Sequence, residues 1–329
     1  MVYGAFMRKT ALVTGISGQD GGYLAALLLK QGYQVIGTSR DANANRFEGL
    51  RKLNIQDKVI LDSMSLIDFQ SILRVIHQYE PDEIYNLAGQ TSVVLSFDQP
   101  VETYESIVIA TVNLLEALRM SNKTIRLYNA GSSEMFGNTK GEPASEVTRL
   151  HPRSPYGIAK ATSFWQIAQH REAYGVHACT GILFNHESPL RPERFVTQKI
   201  VKGACDIANG SAQTLPLGDL SVQRDWGWAP EYVVAMHSML QQEHPEDFVI
   251  ATGHTSSLEA FVAEVFSTLG LNWKEYVVRD PRFIRPSDLS IGRADPALAA
   301  KRLGWQARYK MKDVARMMVE AQLADAKVD

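Results

Sequence analysis

The chain has 329 residues, 45% of them hydrophobic and 21% charged, with a formal net charge of −2. This composition fits a globular enzyme and disfavours a nucleic-acid-binding surface. The two cysteines lack CxxC spacing, the eight histidines form no HExxH motif, and no apolar run reaches the roughly 18 residues that span a bilayer. We therefore expect no disulfide scaffold, no metal site, no membrane segment and a cytoplasmic location.

Strands and helices alternate through the first half of the chain. Apolar β-type runs cover residues 9–15, 33–39, 57–63, 82–88, 124–130 and 176–184. Helical periodicity occurs at 23–32, at 69–80 after a capping Asp68, at 108–120 and at 156–174. This alternation predicts an α/β protein with a Rossmann-like, doubly wound parallel sheet that helices cover on both faces.

The second half differs, because a polar, proline-broken loop at 185–195 interrupts the alternation. Helices and short strands follow, and the run 247–253 returns to strand character. We predict a cofactor-binding domain over 8–184, joined by later segments such as 247–253, and a smaller α/β substrate domain over 185–329. A cleft between the domains is the expected place for a substrate.

Three glycines, Gly15, Gly18 and Gly21, lie between the first strand and the first helix with G-x-x-G-x-x-G spacing. Glycine allows a tight turn there and lets the backbone approach a pyrophosphate at the helix N-terminus. Turns are rich in glycine in any protein, so the triplet alone is a weak signal. Its place between a strand and a helix favours a dinucleotide site.

The end of the second strand, Ser39-Arg40-Asp41, bears on the choice of cofactor. An acidic residue there would bind the adenine-ribose diol of NAD, whereas a guanidinium suits the 2′-phosphate of NADP. Ser39 and Arg40 favour NADP, and Asp41 weakens that argument. Arg40 could also be an ordinary solvated charge of the loop.

Tyr156 and Lys160 are four residues apart, which places them on one face of the helix after Pro155. An ammonium beside a phenol favours the phenolate, so Tyr156 can take a proton from a hydroxyl near neutral pH. Such pairs also occur by chance on surface helices. This one gains weight from the glycine loop and from the serine-rich strand end at 130–134.

That strand end reads YNAGSSEMFG, and it brings Ser132, Ser133 and Glu134 to the carboxyl edge of the sheet. Ser132 or Ser133 could hydrogen-bond the reacting oxygen. Glu134 is either a solvated loop carboxylate or a second acid/base group, which a plain alcohol dehydrogenase would not need.

The chain resembles the extended short-chain dehydrogenase/reductases, and within them the GDP-mannose 4,6-dehydratase family, from about Arg8 to the C-terminus. The matching motifs, in the expected order, are TGISGQDGGYL, YNLAGQTSV, SSEMFG, HPRSPYGIAK, GILFNHESPLR, RDWG and RPSD. A related GDP-4-keto-6-deoxymannose reductase shares a Ser-Ser-Glu stretch. It typically lacks the Glu-Ser-Pro after Asn-His and the Trp-Gly after Arg-Asp.

The resemblance implies a role for each matching position and implies no metal. The cofactor-binding positions are Gly15, Ser17, Gly18, Gln19, Asp20, Arg40, Ser65, Leu66, Leu87, Ala88, Gln90, Tyr156, Lys160, His186 and Arg191. The substrate-binding positions are Ser92, Ser132, Glu134, Asn185, Glu187, Lys199, Arg224 and Arg285. The catalytic positions are Ser132, Glu134, Tyr156 and Lys160.

The family's activity implies a GDP-sugar substrate and an NADP that stays tightly bound and is recycled in each turnover. In that scheme Ser132 bonds the sugar 4-hydroxyl, Tyr156 takes its proton, and Glu134 removes the proton at carbon 5 before water leaves from carbon 6. The alternatives are a GDP-manno-heptose as substrate, a reductase or epimerase on the same scaffold, and a nucleotide sensor without activity.

Several positions depart from the family pattern. Ser65 stands before Leu66 where Asp is usual, which removes an expected adenine contact, and Pro192 follows Arg191 where Gly is usual. Asp41 replaces a frequent second Arg, and the loop DANANRF is altered from the one that forms a second subunit interface in tetrameric relatives. These changes bear on cofactor preference, substrate detail and tetramer formation.

We expect a homodimer, with a homotetramer as the alternative. The helices at 104–120 and 156–174 are predicted to pair about a two-fold axis, as in the resembled family. In the second helix, Phe164, Trp165 and Ile167 carry apolar surface beyond the face that packs on the sheet. Cover by the C-terminal domain of the same chain is the other explanation of that surface.

Overall fold

The structure is a computed structural model that describes residues 8–283 and 289–325. Its strands are β1 (Thr10–Thr14), β2 (Gln34–Ser39), β3 (Ile60–Ser63), β4 (Glu83–Asn86), β5 (Arg126–Ala130), β6 (Ala178–Leu183), β7 (Asn185–Glu187), β8 (Leu215–Leu217), β9 (Gln223–Trp228), β10 (Phe248–Ile250), β11 (Thr255–Ser257) and β12 (Val277–Arg279).

The α-helices are α1 (Gln19–Lys30), α2 (Glu48–Lys52), α3 (Phe69–Tyr79), α4 (Val93–Asp98), α5 (Pro100–Tyr104), α6 (Ala110–Arg119), α7 (Pro155–Tyr174), α8 (Val196–Ala208), α9 (Ala229–Leu240), α10 (Leu258–Thr268), α11 (Ala297–Leu303) and α12 (Met311–Asp325). A single wide, π-helical turn at Glu105–Ile109 connects α5 to α6.

A seven-stranded sheet has the strand order β10-β6-β5-β4-β1-β2-β3. The neighbouring pairs from β6 to β3 are all parallel, and β1 lies between β2 and β4. Successive residues Ala11, Leu12 and Val13 are fully buried although their side chains point to opposite faces. Both faces of the sheet are therefore covered, which confirms the predicted parallel α/β fold.

The face of the sheet that carries Leu12 and Ile84 packs against α3, α6 and α7. Ile72, Leu114 and Ile167 enter this core from the three helices, one from each. Full burial of such side chains contributes about 1.5–3 kcal/mol each. This packing fixes the helix that carries Tyr156 and Lys160 against the strands.

Contacts between Cα atoms divide the chain into two compact units. The first unit comprises the described residues up to Met135 together with Ser154–Ile182 and Val233–Asp247. The second comprises Phe136–Arg153, Leu183–Tyr232 and the described residues from Phe248 onward. The domain boundary at residue 184 stays a prediction.

In the second unit, α8, α10 and α12 share an apolar core that includes Ile200, Phe261 and Val314. Two small sheets accompany it, with strand orders β11-β9-β7 and β12-β8. Within the described ranges, no helix has the length and apolar content to cross a bilayer. The same ranges hold no group of three His, Cys, Asp or Glu side chains placed to bind a metal.

Some predicted elements have different bounds in the structure. The strand predicted at 57–63 begins only at Ile60, because Gln56–Lys58 forms a short 3-10 turn. The helix predicted from residue 108 begins as α6 at Ala110, after the wide turn. Ile167 does not contribute outer apolar surface, since it is fully buried in the core beneath α7.

Candidate active site

The glycine loop connects β1 to α1 in a tight turn. Gly15 has a φ of +68°, and a Cβ there would lie 2.9 Å from the backbone nitrogen of Ala88. A Cβ on Gly21 would lie 2.5 Å from the carbonyl oxygen of Gly15, and the Gly18 amide donates to that same oxygen. Only glycine fits at Gly15 and Gly21. Because no side chain covers the turn at these two positions, the start of α1 is open to an anionic group.

The remaining predicted loop residues line the start of α1. Ser17 is exposed at the tip of the turn, and Gln19 is buried and donates to the carboxylate of Asp20 at 3.2 Å. Burial lowers the pKa of Lys160, and the negative charge of Asp20 acts in the opposite direction and raises it.

The end of β2 offers a place for a phosphate or a ribose. The Ser39 hydroxyl is buried and makes no hydrogen bond within the described residues. Arg40 is exposed, with Nη1 3.3 Å from a carboxylate oxygen of Glu102. Asp41 accepts hydrogen bonds from the amides of Asn43 and Ala44 at 2.9 and 3.1 Å, so this carboxylate closes a turn.

Ser65 and Leu66 follow β3. The Ser65 amide donates to Ser71 Oγ at 3.2 Å, and the Leu66 carbonyl accepts from the side-chain amide of Asn113 at 2.9 Å. The Leu66 side chain packs into the core beneath the sheet. These bonds fix the backbone at the position that the resemblance assigns to the adenine.

The loop after β4 is held from two sides. The amides of Leu87 and Ala88 donate to Thr14 Oγ1 at 3.1 and 3.2 Å, and the amide of Gln90 donates to Ser106 Oγ at 3.2 Å. Ser92, predicted to contact substrate, is the N-cap of α4, and its hydroxyl accepts from the Leu95 amide. A well-defined loop therefore follows the carboxyl end of β4.

The strand end after β5 carries the predicted serine and glutamate. Ser132 is nearly buried, and its hydroxyl accepts from the amide of Glu134 at 3.3 Å. Residues Ser133–Met135 form a short 3-10 turn that packs against α7. This turn leaves Glu134 half-buried beside the helix of Tyr156.

Helix α7 starts with a strong N-terminal signal. Ser154 caps the helix by accepting from the Gly157 amide at 3.0 Å, and Pro155 occupies the first helical position. Tyr156 and Lys160 are both buried within the turns that follow, and the Lys160 Nζ lies 5.8 Å from the centre of the Tyr156 ring.

The Lys160 ammonium donates to the carbonyl oxygen of Ala130 at 2.7 Å. Burial lowers the pKa of Lys160 to about 8, although Asp20 acts in the opposite direction. An ammonium held beside a phenol favours its ionised form. The bond to Ala130, two residues before Ser132, brings the Tyr156–Lys160 pair to the strand end that carries Glu134.

The second unit holds the predicted residues of the NHESPLR segment. His186 Nδ1 lies 2.8 Å from the Phe184 carbonyl, and its ring stacks on Tyr232 with centroids 4.6 Å apart. Glu187 is only 1% exposed, accepts from Thr197 Oγ1 at 2.7 Å and forms an ion pair with Arg191 at 3.1 Å. Asn185 begins the same strand, β7.

The other predicted cations of this unit have defined contacts. The Arg191 guanidinium lies 3.7 Å from the centre of the Phe195 ring. Lys199 donates to the Pro216 carbonyl at 2.8 Å, and burial lowers its pKa. Arg224, on β9, donates to the carbonyl of Gln223 at 2.9 Å. Arg285 lies outside the described residues.

A model of the family described as GDP-mannose 4,6 dehydratase matches residues 12–318 of this chain. The chain belongs to this family. GDP-mannose 4,6 dehydratase 2 of Arabidopsis thaliana is 43% identical over 97% of this chain and 88% of its own length. GDP-mannose 4,6-dehydratase of Sinorhizobium fredii is 40% identical over 96% of this chain and 97% of its own length.

Among solved structures, the chain is similar to a double mutant of DesIV, a dTDP-glucose 4,6-dehydratase from Streptomyces venezuelae with NAD and DAU bound. The TM-score is 0.85 at 20% sequence identity, and the match covers 97% of this chain and 98% of the other. At this identity the similarity supports the fold.

One residue of this family member was missed by sequence reasoning. Asp225, in the RDWG motif, is fully buried, and it accepts from the amides of Thr252 and His254 at 3.0 and 3.1 Å. Burial raises the pKa of Asp225, and these backbone bonds oppose the rise. The RDWG motif identified this segment from the sequence. Its role in holding a neighbouring loop could not be predicted, because hydrophobic periodicity does not indicate which backbone amides a carboxylate binds.

Proposed function

We propose that the chain is a GDP-mannose 4,6-dehydratase, which converts GDP-mannose to GDP-4-keto-6-deoxymannose. The observation that carries the proposal is the placement of a phenol–ammonium pair, Tyr156 and Lys160, beside a strand end that also supplies Glu134. Oxidation at carbon 4 needs the pair, and elimination of water needs one further acid/base group. Membership of the family supports the same reaction.

Tyr156 is the base for the sugar 4-hydroxyl in this proposal. The positive charge of Lys160 lies close enough to stabilise the phenolate, and the buried setting strengthens that interaction. Ser132, with its hydroxyl at the same strand end, bonds the oxygen from which the proton leaves.

Glu134 removes the proton at carbon 5, which the neighbouring ketone makes acidic. The same carboxylate then delivers a proton to the hydroxyl that leaves carbon 6, so that water is lost. A half-buried carboxylate on a turn packed against α7 is suited to both transfers. Acid/base catalysis of this kind contributes about 10²–10⁴ in rate.

A nicotinamide cofactor bound here would supply the acceptor for the hydride from carbon 4 and would return that hydride to carbon 6. Carbon 5 would take up a proton at that stage from Tyr156, which holds the proton of the 4-hydroxyl. The glycine loop supports a place for the pyrophosphate of the cofactor, and we assign the nicotinamide half to the backbone from Leu87 to Gln90, which hydrogen bonds hold in place. Because the hydride is returned in each turnover, we expect the cofactor to stay tightly bound. The remaining assigned residues are Ser17, Gln19, Asp20, Ser65, Leu66, His186 and Arg191.

We assign NADP rather than NAD as this cofactor. The buried Ser39 hydroxyl lacks a hydrogen-bond partner in the described part of the chain, and Arg40 is exposed beside it in sequence. Asp41 accepts from the two amides of its own turn through Oδ1, which ties that oxygen of the carboxylate to the turn. Guanidinium and hydroxyl groups are the usual partners of a 2′-phosphate.

For the sugar nucleotide we assign Ser92, Asn185, Glu187, Lys199, Arg224 and Arg285. Glu187 acts indirectly in this assignment, because its buried carboxylate is already bonded to Thr197 and paired with Arg191. Arg224 and Arg285 are the residues that we assign to the diphosphate. Both cysteines of the described chain are buried and unpaired, which fits a reducing compartment such as the cytoplasm.

We also propose a homodimer that uses the helices around the site. Trp165 is 61% exposed and Ile158 is 42% exposed, and their spacing places them on one side of α7. Ile109 and Val101 are exposed at or near the wide turn before α6. An apolar surface of this kind on two adjacent helices is typical of a four-helix interface.

Mass spectrometry of GDP-mannose incubated with the enzyme tests the proposed reaction. The expected product has lost one water, and no added cofactor is consumed. An unchanged mass would refute the dehydratase, and consumption of NADPH with an added GDP-4-keto sugar would indicate a reductase instead. Tyr156→Phe serves as the inactive control, since it keeps the ring and removes the hydroxyl.

A further inference from the structure

A row of polar side chains crosses the interior of the first unit beneath the proposed site. Thr14, Asn86 and Asn129 stand at or near the ends of β1, β4 and β5, while Ser163 lies on α7 and Thr111 on α6. Each of the five is at most 5% exposed. Buried polar groups of this kind need partners, and here they find one another. We call these five residues the buried network.

The hydrogen bonds of the network run in a single direction. Thr14 Oγ1 donates to Asn86 Oδ1 at 3.0 Å, Asn86 Nδ2 to Asn129 Oδ1 at 3.0 Å, and Asn129 Nδ2 to Ser163 Oγ at 3.3 Å. Ser163 Oγ and Thr111 Oγ1 are 2.7 Å apart. Thr111 uses its only proton to bond the Ile107 carbonyl at 2.7 Å, so Ser163 must be the donor to Thr111.

The two ends of the network meet the loop and the helix that the proposed chemistry depends on. At one end, Thr14 Oγ1 accepts from the amides of Leu87 and Ala88. At the other end, Thr111 holds the carbonyl of Ile107, which lies in the wide turn at Glu105–Ile109. Ile107 belongs to one buried apolar cluster with Tyr156 and Ala159.

The wide turn also closes the path back to the loop. Ser106 Oγ accepts from the amide of Gln90 at 3.2 Å. A Cβ on Gly89 would lie 3.1 Å from the Ser106 carbonyl oxygen, so the loop and the turn are in close contact. The additional residue per turn of a π-helical segment shifts the side chains that follow it, and such turns are frequent at functional sites.

We propose that the buried network positions the Leu87–Gln90 loop and the Tyr156 phenol relative to each other, with Ser163 and Thr111 as positioning residues. Neither residue touches the reacting atoms. In a one-directional series of bonds between buried side chains, the loss of any link leaves a donor and an acceptor without their partners. The proposal rests on the role assigned to Tyr156 above.

Two variants of similar shape break the network at different residues. Thr111→Val and Ser163→Ala each remove one hydroxyl, and Thr111→Ser keeps the hydroxyl while removing a methyl group. Thr180→Val is the matched control, because the Thr180 hydroxyl is fully buried on the same sheet and makes no hydrogen bond within the described residues.

The first measurement is hydrogen–deuterium exchange of the peptides that cover Leu87–Gln90 and Glu105–Ile109. We expect Ser163→Ala and Thr111→Val to raise exchange in both peptides by about tenfold, although Leu87 lies four hydrogen bonds from Ser163. Thr180→Val and Thr111→Ser should match the wild type. Unchanged exchange at Leu87–Gln90 in the two broken variants would overturn the proposal, whether or not the enzyme acts on GDP-mannose.

The second measurement is single-turnover oxidation of GDP-mannose, followed by the absorbance of the reduced cofactor. A misplaced base should slow this step by about tenfold or more while substrate affinity changes little. Equal loss in Thr111→Ser and Thr111→Val would show that packing alone matters and would refute the network. If the wild type leaves GDP-mannose unchanged, the proposed function fails, and the exchange experiment still decides the role of the network.

Discussion

Replacing Lys160 by methionine should abolish activity and yet stabilise the folded protein at neutral pH. Burial lowers the pKa of Lys160 to about 8 from the 10.5 of a solvated lysine. That difference of about 2.5 pH units corresponds to about 3 kcal/mol at roughly 1.4 kcal/mol per unit. At pH 7 the buried charge therefore lowers the free energy of unfolding of the wild type by this amount. Methionine has a similar length and carries no charge.

The stabilisation is smaller than that figure, because the methionine side chain would leave the Ala130 carbonyl without its 2.7 Å hydrogen bond from Lys160. An unsatisfied buried carbonyl costs about 1–3 kcal/mol. The net expectation at pH 7 is a gain of about 1 kcal/mol for Lys160→Met.

The pH dependence gives the sharper test. Between the folded pKa of about 8 and the unfolded value of 10.5, the unfolded wild type binds more protons than the folded one. The wild type therefore gains stability as the pH rises through this window, and Lys160→Met does not. The advantage of the variant should shrink from pH 8 upward and reverse near about pH 8.7, above which the lost hydrogen bond dominates.

Urea unfolding of cofactor-free wild type and Lys160→Met at a series of pH values measures this difference. Lys312→Met, at an exposed position on α12, is the control and should follow the wild type at each pH. A constant difference between Lys160→Met and wild type from neutral to alkaline pH would show that the pKa of Lys160 is not lowered in the folded protein.

Four further substitutions test the assigned roles. Glu134→Gln should lower dehydration by about 10²–10⁴ while reduced cofactor accumulates, and full dehydration would exclude Glu134 as the acid/base group. Tyr156→Phe should slow oxidation and dehydration together at nearly unchanged substrate affinity, and near-normal turnover would identify another base. Arg40→Asp should change the NADP-to-NAD affinity ratio by about 10–100-fold, the equivalent of one lost charged hydrogen bond, and an unchanged ratio would show that Arg40 does not contact the phosphate. Trp165→Arg should give a light-scattering mass of one 36.6 kDa chain, whereas Val147→Arg, at a 94% exposed residue, should keep the wild-type mass. A wild type that is itself monomeric would refute the dimer.

The fold could be predicted from the sequence where local signals and burial agree. The predicted helix cap at Asp68 is confirmed, since its carboxylate accepts from the Gln70 amide at 3.1 Å at the start of α3. Continuous apolar runs identified the buried parallel strands, because strands covered on both faces lack the polar alternation of a half-exposed strand.

Prediction was weaker where backbone geometry departs from a regular period. The wide turn at Glu105–Ile109 follows no sequence rule, since its Ser106, Ile107 and Ile109 side chains suit an ordinary helix equally well. Helical periodicity also assigned Ile167 to an outer surface, whereas Ile167 lies on the face of α7 that packs into the core. A period shows which residues share a face, but it does not show what packs against that face.

The site illustrates the same limit. Tyr156 and Lys160 could be paired from their spacing, because a helix sets the distance between residues four apart. Glu187 was assigned to substrate by resemblance, but its carboxylate is buried against Thr197 and Arg191. The sequence shows that a carboxylate stands at residue 187, but only the structure shows which groups that carboxylate binds.

The buried network extends this argument to residues that carry no local signal at all. Thr14 and Asn86 are 72 residues apart in the chain, and Asn86 and Asn129 are 43 apart, yet the parallel register places them side by side on adjacent strands. Asn86 and Asn129 are direct register partners of β4 and β5. A polar residue near the end of a buried strand is therefore informative only when its neighbours in the sheet are known. Once strand order is established, such positions show which parts of a site are connected by hydrogen bonds. Here the hydrogen bonds connect the loop after β4 to α6 and α7, and α7 carries Tyr156.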